Sequence, residues 1–302
     1  MINNYSPIVL FAYNRPDHLT RTVNALLNNS LADKSELIIY SDAPKYPEAS
    51  KNVEEVRKYI RFIKGFKNIN IIEREKNYGL ANSIIDGVTT CINNYGRVIV
   101  LEDDLVTSPY FLTYMNEGLN LYENDHKVAS IHSFMYSTKI KLPDYFFIRG
   151  ADCLGWATWK RAWDLFNPDS NFLLNEIKKK KFDRQFNFNN SYNYTGMLQS
   201  QIDGKISSWA IRWYASTFLA DKYTLYPKNS FVDHIGWDGS GTNCFGYGNF
   251  NTKFSETYNS VPLLPVIDSQ IGRKAIIKYF LSLKSNIFKK IKKVIKLIFK
   301  YN

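Results

Sequence analysis

The sequence predicts an α/β fold with a mostly parallel sheet and helices on both faces. Over the first hundred residues, short apolar runs of strand length alternate with longer segments in which apolar residues recur every three or four positions. Three of the short runs are apolar without a break, which is typical of strands covered on both sides. A repeated strand–helix order of this kind builds a parallel sheet between two layers of helices.

The elements follow in chain order. The predicted strands are 8–13, 37–40, 69–72, 97–101 and 128–131. The predicted helices are 16–29, 53–63, 79–94 and 109–123, two of which begin with proline at its favoured first position. Residues 145–170 and 205–250 are rich in Trp, Gly and Asp and are expected to form pocket walls rather than regular elements. Ligands of such sheets gather at the carboxyl ends of the strands, so the residues there are the first candidates for a site.

The positive charge of the chain is concentrated at its C-terminal end. The net charge is +11, but Arg273 and nine lysines follow Asp268 without any acidic residue, which leaves +1 for residues 1–268. A broad nucleic-acid-binding surface is therefore excluded. Residues 1–268 are expected to form one domain, with halves at 1–105 and 106–268, and residues 269–302 to form a separate tail.

The tail is predicted to be a long basic amphipathic helix. Apolar residues recur in steps of three and four from Ile276 to Ile298, and the lysines fall mainly off that stripe. Such helices lie in the interface of an anionic membrane. Packing on the domain is the alternative, and it explains the stripe but not the charge. A cut after Asp268 is expected to leave the body folded.

Cysteine content and hydropathy indicate the compartment. The three cysteines are widely spaced, which argues against a disulfide framework or a CxxC metal site. The N-terminus lacks the pattern of a signal peptide, and no apolar run approaches the roughly 20 residues that span a bilayer. The expected location is cytoplasmic and peripheral, on the inner face of the cell membrane.

Three consecutive carboxylates, Glu102, Asp103 and Asp104, end the fourth predicted strand. Such carboxylates repel one another unless a cation compensates. Oxygen ligands beside an open sheet edge suit Mg²⁺ or Mn²⁺ carried in on a diphosphate. Strand alternation is expected to place Glu102 and Asp104 on one side and Asp103 opposite. Helix capping is the alternative, but Ser108 and Pro109 already supply a cap and a first-turn proline.

Both common nucleotide-binding fingerprints are absent. The only Gly-Lys pair, Gly204-Lys205, is followed by Ile206 instead of the Ser or Thr of a P-loop. No Gly-x-Gly-x-x-Gly opens the first predicted helix. A P-loop ATPase is therefore excluded, although those enzymes also have a strand that ends in acidic residues.

Seven segments together resemble one enzyme family. They are IVLFAYNRP (8–16), IYSDAP (39–44), NYGLANSIIDG (77–87), VIVLEDDLVTSPY (98–110), GWATWKRAW (155–163), SWAIRWY (208–214) and IGWDGSGT (235–242). The chain resembles bacterial glycosyltransferases of the GT-A fold, in the family-2-like group encoded with capsule and O-antigen genes. It also resembles, more distantly, the eukaryotic N-acetylglucosaminyltransferase that initiates complex N-glycans. The segments run in family order over most of residues 5–245.

The resemblance implies roles for single residues. It implies that Asp104 is the direct metal ligand of a DxD-type motif, with Glu102 and Asp103 beside the donor ribose and sugar. Arg15 and Asp42 match positions that hold the nucleotide in that family. A guanidinium beside a diphosphate and a carboxylate that accepts from a base or ribose are chemically suited to those roles. The alternatives are a surface ion pair for Arg15 and a turn residue for Asp42.

Four more residues are candidates for donor or acceptor contacts. Asn77 precedes the third helix and is either a nucleotide contact or a turn residue. Trp156 begins a stripe of tryptophans expected to share one helical face, and this stripe is either core or, at Trp156, a sugar-facing wall. Trp209 is a candidate for stacking on a sugar, and Arg212 for contacting phosphate or acceptor.

The catalytic base does not lie where the resemblance would place it. Inverting transfer needs a carboxylate that deprotonates the acceptor hydroxyl. The eukaryotic relative has an Asp directly after the tryptophan that matches Trp209, and this chain has Ala210. Asp238 and Asp203 are the favoured replacements and Asp152 is a third choice, although each is also readable as a turn residue beside glycine. His234, a lone histidine, is either structural or an additional metal or phosphate contact.

The sequence therefore predicts a metal-dependent, inverting glycosyltransferase of the hexosyl or N-acetylhexosaminyl type. Residues 1–105 would bind a nucleotide sugar, expected to be a UDP-sugar, and residues 106–268 a saccharide or lipid-linked acceptor in surface polysaccharide assembly. One alternative is a non-catalytic carbohydrate-binding or scaffold protein on the same fold, which Ala210 keeps open. Another is a membrane-bound nucleotidyltransferase, which would normally have a Gly-rich phosphate loop.

Overall fold

An eight-stranded sheet lies between two layers of helices. The computed structural model describes residues 5–239, 254–255 and 257–283. The strands of the sheet are β1 (Ile8–Ala12), β2 (Glu36–Ser41), β3 (Asn68–Glu73), β4 (Arg97–Glu102), β6 (Val128–His132), β7 (Tyr145–Arg149), β8 (Trp156–Trp159) and β9 (Tyr223–Pro227). Two short strands pair outside it, β5 (Leu105–Thr107) and β10 (Val232–His234).

The helices fill the connections between these strands. They are α1 (Pro16–Leu27), α2 (Ser50–Ile60), α3 (Gly79–Tyr95), α4 (Phe111–Leu121), α5 (Lys160–Trp163), α6 (Ser170–Lys179), α7 (Asp183–Phe186), α8 (Tyr194–Ile202) and α9 (Trp209–Leu219). A further helix, α10, is described over residues 270–283. All the strands and helices predicted for residues 8–131 are present, with their ends shifted by a few residues.

The strand order places a crevice between β1 and β4. The order across the sheet is β3-β2-β1-β4-β8-β6-β9-β7, and the described strands all run in one direction except β7 and β8. The predicted mostly parallel α/β class is thereby confirmed. The chain builds outward from β1 to β3 and then returns to the other side of β1 with β4. Sheets of this kind bind ligands at such a reversal, outside the carboxyl ends of the strands.

Alternation along β1 explains why helices cover both faces. Ile8 and Leu10 point into the core beneath α1, α2 and α4, whereas Val9 and Phe11 point into the core beneath α3 and α9. All four are buried. Successive side chains of a strand point to opposite faces, so an unbroken apolar run requires cover on both sides.

The tryptophan stripe does not form one helical face. Trp156 and Trp159 lie on β8, where residues three apart point to opposite faces. Trp156 packs against Trp163 with ring centroids 5.8 Å apart, while the Trp159 indole N–H donates to the Leu119 carbonyl at 3.2 Å. The prediction that the tryptophans share one helical face was wrong, because β8 continues to Trp159 before α5 begins. Residues 145–170 and 205–250, expected to be irregular walls, likewise contain β7 to β10, α5 and α9.

The first part of the tail packs against the body. Helix α10 buries Ala275, Ile276 and Phe280 in the core formed with β7 and α6 to α9. A Cβ on Gly272 would lie 2.4 Å from the Phe146 ring, so the helix backbone lies directly on β7. A cut after Asp268 would uncover this core, and the expectation that the body stays folded without the tail stays a prediction. The rest of the predicted amphipathic helix, residues 284–302, lies outside the described residues.

Candidate active site

Asp103 and Asp104 lie together in the turn after β4. The strand ends at Glu102, so its alternation does not extend to the next two residues. Both aspartates are buried and both contact the Arg15 guanidinium: Nη2 lies 2.9 Å from Asp104 Oδ2 and also hydrogen bonds to Asp103 Oδ1. The expectation that Asp103 faces away from Asp104 is therefore wrong, because the chain turns where a strand was assumed.

β1 and α1 hold the other side of this turn. Arg15 follows β1 and directly precedes Pro16, the first residue of α1. The Tyr13 backbone N–H donates to Asp103 Oδ2 at 3.2 Å, and the Thr22 hydroxyl donates to the Asp103 carbonyl at 2.9 Å. The predicted neighbours Arg15, Asp103 and Asp104 thus meet at the crevice between β1 and β4.

β10 brings His234 to the same place from far along the chain. It pairs antiparallel with β5, so that His234 lies opposite Leu105, the residue after Asp104. His234 Nε2 lies 3.2 Å from Asp104 Oδ2, and the Ile235 backbone N–H donates to the Asp104 carbonyl at 2.9 Å. The pairing depends on tertiary structure, so the sequence identified His234 as a candidate without indicating its partner.

Gly236 allows the Asp104 carboxylate to lie directly against the backbone. A Cβ at this position would lie 2.2 Å from Asp104 Oδ2 and 3.1 Å from His234 Nε2. Any side chain would therefore displace one of these two groups. Trp237 follows with its ring edge-on to the His234 imidazole, at a centroid distance of 4.6 Å. Glycine at position 236 thus lets the Asp104 carboxylate and the His234 imidazole approach each other against the backbone.

Burial and neighbouring charges separate the pKa values of the three carboxylates. Burial, followed by repulsion from Asp104, raises the pKa of Glu102 to about 8. Burial raises the pKa of Asp103 to about 6, against the opposing charge of Arg15. At Asp104 burial is outweighed by the hydrogen bond and charge of His234 and by Arg15, so the pKa is lowered. Asp104 is thus ionised over the widest pH range of the three.

Asp104 and His234 fit a divalent cation that arrives with a diphosphate. Within residues 5–239 and the described part of 254–283, no group of three or more His, Cys, Asp or Glu side chains forms a complete cage. Mg²⁺ at phosphate sites is commonly held by one or two protein carboxylates, because phosphate oxygens and water fill its other positions. The neighbouring carboxylate of Asp104 and imidazole of His234 meet that smaller requirement.

Asp42 and Asn77 fix the loop between β2 and α3. Asp42 accepts from the backbone N–H groups of Tyr78 and Gly79, both at 2.9 Å, and so caps the start of α3. The Asn77 side-chain amide donates to the Ala43 carbonyl at 2.7 Å. The capping role was not foreseen, because the residues capped lie 36 and 37 positions away. The predicted contacts of Asp42 and Asn77 with a nucleotide stay predictions.

The predicted sugar-contacting residues are largely engaged with the protein itself. Trp156 and Trp209 stack on each other with ring centroids 5.1 Å apart, and they are 1% and 3% exposed. This burial favours core packing over sugar contact for both. Arg212 is half-buried, and its Nε–H donates to the Ser208 carbonyl at 3.0 Å. Its predicted contact with phosphate or acceptor stays a prediction.

The candidate bases occupy different surroundings. Asp203, after α8, accepts from Lys205 and Gln199, both at 2.8 Å, and these hydrogen bonds lower its pKa. Asp238 lies two positions after Gly236 in the sequence, and its Oδ2 lies 3.1 Å from the Nε2 atom of His18. Asp152 lies beside Tyr226, whose hydroxyl donates to its Oδ2 at 3.0 Å. Asp238 is therefore adjacent to the acidic turn, while Asp203 is bound to an exposed lysine.

Comparison with known proteins gives a family and several distant structural neighbours. The chain is similar to TarS 1-349 of S. aureus, at 10% identity over 75% of this chain and 59% of that chain, with a TM-score of 0.42. It is also similar to TarS 1-349 in complex with UDP-GlcNAc, at 11% identity over 76% of this chain and 60% of that chain, with a TM-score of 0.38. A third similar structure is the mannosyltransferase PcManGT of Pyrobaculum calidifontis in complex with GDP-Man and Mn²⁺. Its sequence is 14% identical over 44% of this chain and 37% of that chain, with a TM-score of 0.33.

The chain spans only 37% to 60% of the length of these three structures. No curated protein sequence matches it significantly. A family model described as glycosyl transferase family 2 matches residues 8–198, which is more than half of the chain and includes β1, Arg15 and the acidic turn. The chain therefore belongs to glycosyl transferase family 2.

Proposed function

We propose that the protein transfers a sugar from a nucleotide sugar to an acceptor hydroxyl with the help of a divalent cation. The observation that supports this most is the buried cluster of Asp103, Asp104, Arg15 and His234. It lies at the carboxyl ends of β1 and β4, where open α/β sheets bind their ligands.

Each residue of this cluster has a part in the proposed reaction. Asp104 and His234 would hold Mn²⁺ or Mg²⁺, which supplies positive charge to the leaving diphosphate. Arg15 adds a permanent positive charge at the same edge, and its guanidinium is suited to phosphate oxygens. Asp103 keeps Arg15 in place through its carboxylate. Charge that develops on the diphosphate as the sugar leaves is therefore met by groups already in position.

The proposed donor is a UDP-sugar, bound by residues 1–105. Two of the neighbours named above are in complex with UDP-GlcNAc and with GDP-Man, and both compounds are nucleotide sugars. Asp42 and Asn77 fix the loop at the end of β2, next to the end of β1. We propose inverting transfer of a hexosyl or N-acetylhexosaminyl group, in the capsule and O-antigen group of enzymes that the motifs resemble.

The proposed acceptor is a saccharide or a lipid-linked saccharide at the cytoplasmic face of the membrane. No described helix has the length and hydropathy needed to cross a bilayer. Four apolar side chains before and within α10 are exposed: Leu263, Ile267, Ile271 and Leu281. Two exposed lysines, Lys274 and Lys278, lie on the same helix. Residues 284–302 add seven more lysines. This combination supports contact with anionic lipid.

The test is the Mn²⁺-dependent release of UDP from a panel of UDP-sugars. Asp104→Ala should lower the rate at least 100-fold, because it removes a carboxylate expected to bind the cation. Asp33→Ala, at an exposed carboxylate before β2, serves as the matched control and should keep the wild-type rate. If Asp104→Ala retains most of the rate while remaining folded by circular dichroism, the metal site is wrongly assigned.

A non-catalytic carbohydrate-binding protein is the second candidate, favoured by Ala210 in the place of the base. The same panel distinguishes the two functions. Binding of a UDP-sugar by calorimetry, without release of UDP under any condition, would support the binding protein. Slow release of UDP in the presence of Mn²⁺ would support the transferase.

A further inference from the structure

The first turn of α9 offers no carboxylate for the acceptor proton, because Ala210 follows Trp209 there. The segment before β8, which packs along the same helix, carries another carboxylate. We propose that Asp152 takes the proton of the acceptor hydroxyl, and that the tyrosines around it form the acceptor subsite. This proposal rests on the transferase function proposed above.

The segment 150–155 carries Asp152 to the carboxyl edge of the sheet. The Gly150 N–H donates to the Lys222 carbonyl at 2.8 Å, before β9, whereas Asp152 contacts Tyr226 near the end of β9. The Leu154 N–H then donates at 3.2 Å to the imidazole of His132, the last residue of β6. Only β8 lies between β6 and β4, a separation of about 10 Å from two strand spacings. A diphosphate and a sugar ring can lie between Asp152 and the acidic turn.

The same segment packs along α9. A Cβ on Gly150 would lie 2.3 Å from the ring of Tyr214, in the second turn of that helix. Cys153 and Ala210 both pack against the hydrophobic core that contains Trp156 and Trp209. Asp152, two residues after Gly150, therefore supplies a carboxylate from a segment that packs along α9, the helix in whose first turn the family resemblance would place one.

Asp152 is held in place but remains accessible. Its Oδ1 accepts from the Cys153 N–H at 2.8 Å, its Oδ2 accepts from the Tyr226 hydroxyl, and its side chain is 23% exposed. His132 Nε2 lies 4.0 Å from Oδ1, but this nitrogen accepts from Leu154, so the proton of the neutral ring is on Nδ1. Burial lowers the pKa of His132 and keeps it neutral. The neutral His132 is therefore not a cationic partner of the Asp152 carboxylate.

Tyrosines surround this carboxylate on several elements. We call Tyr136, Tyr192, Tyr194 and Tyr226 the tyrosine wall, and burial together with the charge of Asp152 raises the pKa of each of them. Tyr192 is 37% exposed, while Tyr136 and Tyr194 are half-buried.

Helix α10 extends the tyrosine wall. Tyr279 stacks on Tyr136 with ring centroids 4.5 Å apart, and Phe280 lies 4.9 Å from Tyr192. Flat rings with hydroxyl groups suit the apolar and polar faces of a sugar. The described start of the tail thus forms part of the proposed acceptor subsite.

The proposed step is a single displacement. The acceptor hydroxyl oxygen forms a bond to the anomeric carbon of the donor sugar, and the bond from that carbon to the diphosphate oxygen breaks. The electron pair of the broken bond leaves with the nucleoside diphosphate. The hydroxyl proton passes to the Asp152 carboxylate, so charge and atoms balance without another reactant.

The first experiment uses water as the acceptor and UDP-GlcNAc and UDP-glucose as the donors. Asp152→Asn keeps an oxygen that accepts from Tyr226 but cannot take a proton, so UDP release should fall about 100-fold or more while UDP binds as in the wild type. Asp152→Glu should recover part of the rate. Asp33→Asn, at an exposed carboxylate before β2, is the matched control and should match the wild type. UDP release by Asp152→Asn at the wild-type rate would overturn the proposal.

The second experiment tests the acceptor subsite by saturation-transfer NMR with p-nitrophenyl glycosides of glucose and N-acetylglucosamine. Tyr192→Ala should remove the glycoside signal and leave UDP binding unchanged, whereas Tyr46→Ala, at an exposed tyrosine after β2, should retain both. Equal glycoside signals from both variants would overturn the subsite. A wild-type protein that neither binds nor hydrolyses any donor would instead contradict the proposed function, which keeps the two failures distinct.

Discussion

Glu102 is a carboxyl group whose protonation links stability to pH. It ends β4 next to two aspartates, and burial with their repulsion raises its pKa from 4.5 to about 8. Between these values the unfolded chain releases a proton that the folded chain retains. The contribution of Glu102 to the free energy of unfolding therefore falls as pH rises through this window.

Glu102→Gln should remove this pH-dependent fall in the free energy of unfolding, because glutamine does not titrate. In the absence of divalent cations, the variant should gain stability relative to the wild type between pH 5 and pH 8, by an amount on the order of 1 kcal/mol or more. Urea unfolding at the two pH values measures the gain. Glu73→Gln is the control, because hydrogen bonds from Arg61 lower the pKa of Glu73 and no such gain is expected. An equal difference between Glu102→Gln and wild type at both pH values would contradict the assignment.

The residues of the acidic turn could be predicted from sequence only in part. Glu102, Asp103 and Asp104 were located correctly because an apolar strand must end where consecutive carboxylates begin. The side on which Asp103 lies could not be predicted, since the turn after β4 is set by β5 and β10. His234 meets Asp104 across 130 residues, and no local pattern encodes such a pairing.

At the scale of elements, periodicity was reliable where each element was long and separate. Helices α1 and α3 and strands β1 and β4 were predicted within one or two residues of their ends. Periodicity failed where a four-residue strand runs directly into a helix, as at β8 and α5. Their tryptophans match a helical spacing by coincidence, and the pairing of β8 with β4 and β6 overrides it.

Helix α10 should stabilise the body although it belongs to the basic tail. A chain ending at residue 268 loses the burial of Ile276 and Phe280, which should lower the free energy of unfolding by about 3–6 kcal/mol. A chain ending at residue 283 keeps both side chains and should unfold like the intact protein. Urea unfolding of the three chains compares them. Equal stability of all three would mean that α10 contributes little to the fold.

At the scale of the whole molecule, the basic tail has a first part that packs on the body and a later part that holds most of its lysines. Residues 270–283 complete the core, while seven of the nine tail lysines come later. Composition alone could not separate these parts, because the apolar stripe is continuous through both. The burial of Ile276 and Phe280 against the body reveals the division.

Binding to anionic vesicles should depend on the later lysines. A lysine near such a surface contributes about 1 kcal/mol, so a chain ending at residue 283 should pellet far less with phosphatidylserine vesicles than the intact chain. Binding of the intact chain should weaken as salt rises, because the Debye length falls from about 10 Å at 0.1 M to about 3 Å at 1 M. Vesicles of phosphatidylcholine are the control. Equal pelleting of the two chains would exclude a membrane role for the segment.

The pairing of β10 with β5 has a consequence for the order in which the protein becomes functional. Ribosomes synthesise a chain from its amino terminus, so Asp104 and Arg15 emerge long before His234. A nascent chain that ends between Asp104 and His234 already has the carboxylates and the guanidinium but not the imidazole beside them. The proposed cation site is therefore completed only after 130 further residues have been added, and fragments released before His234 would lack the imidazole.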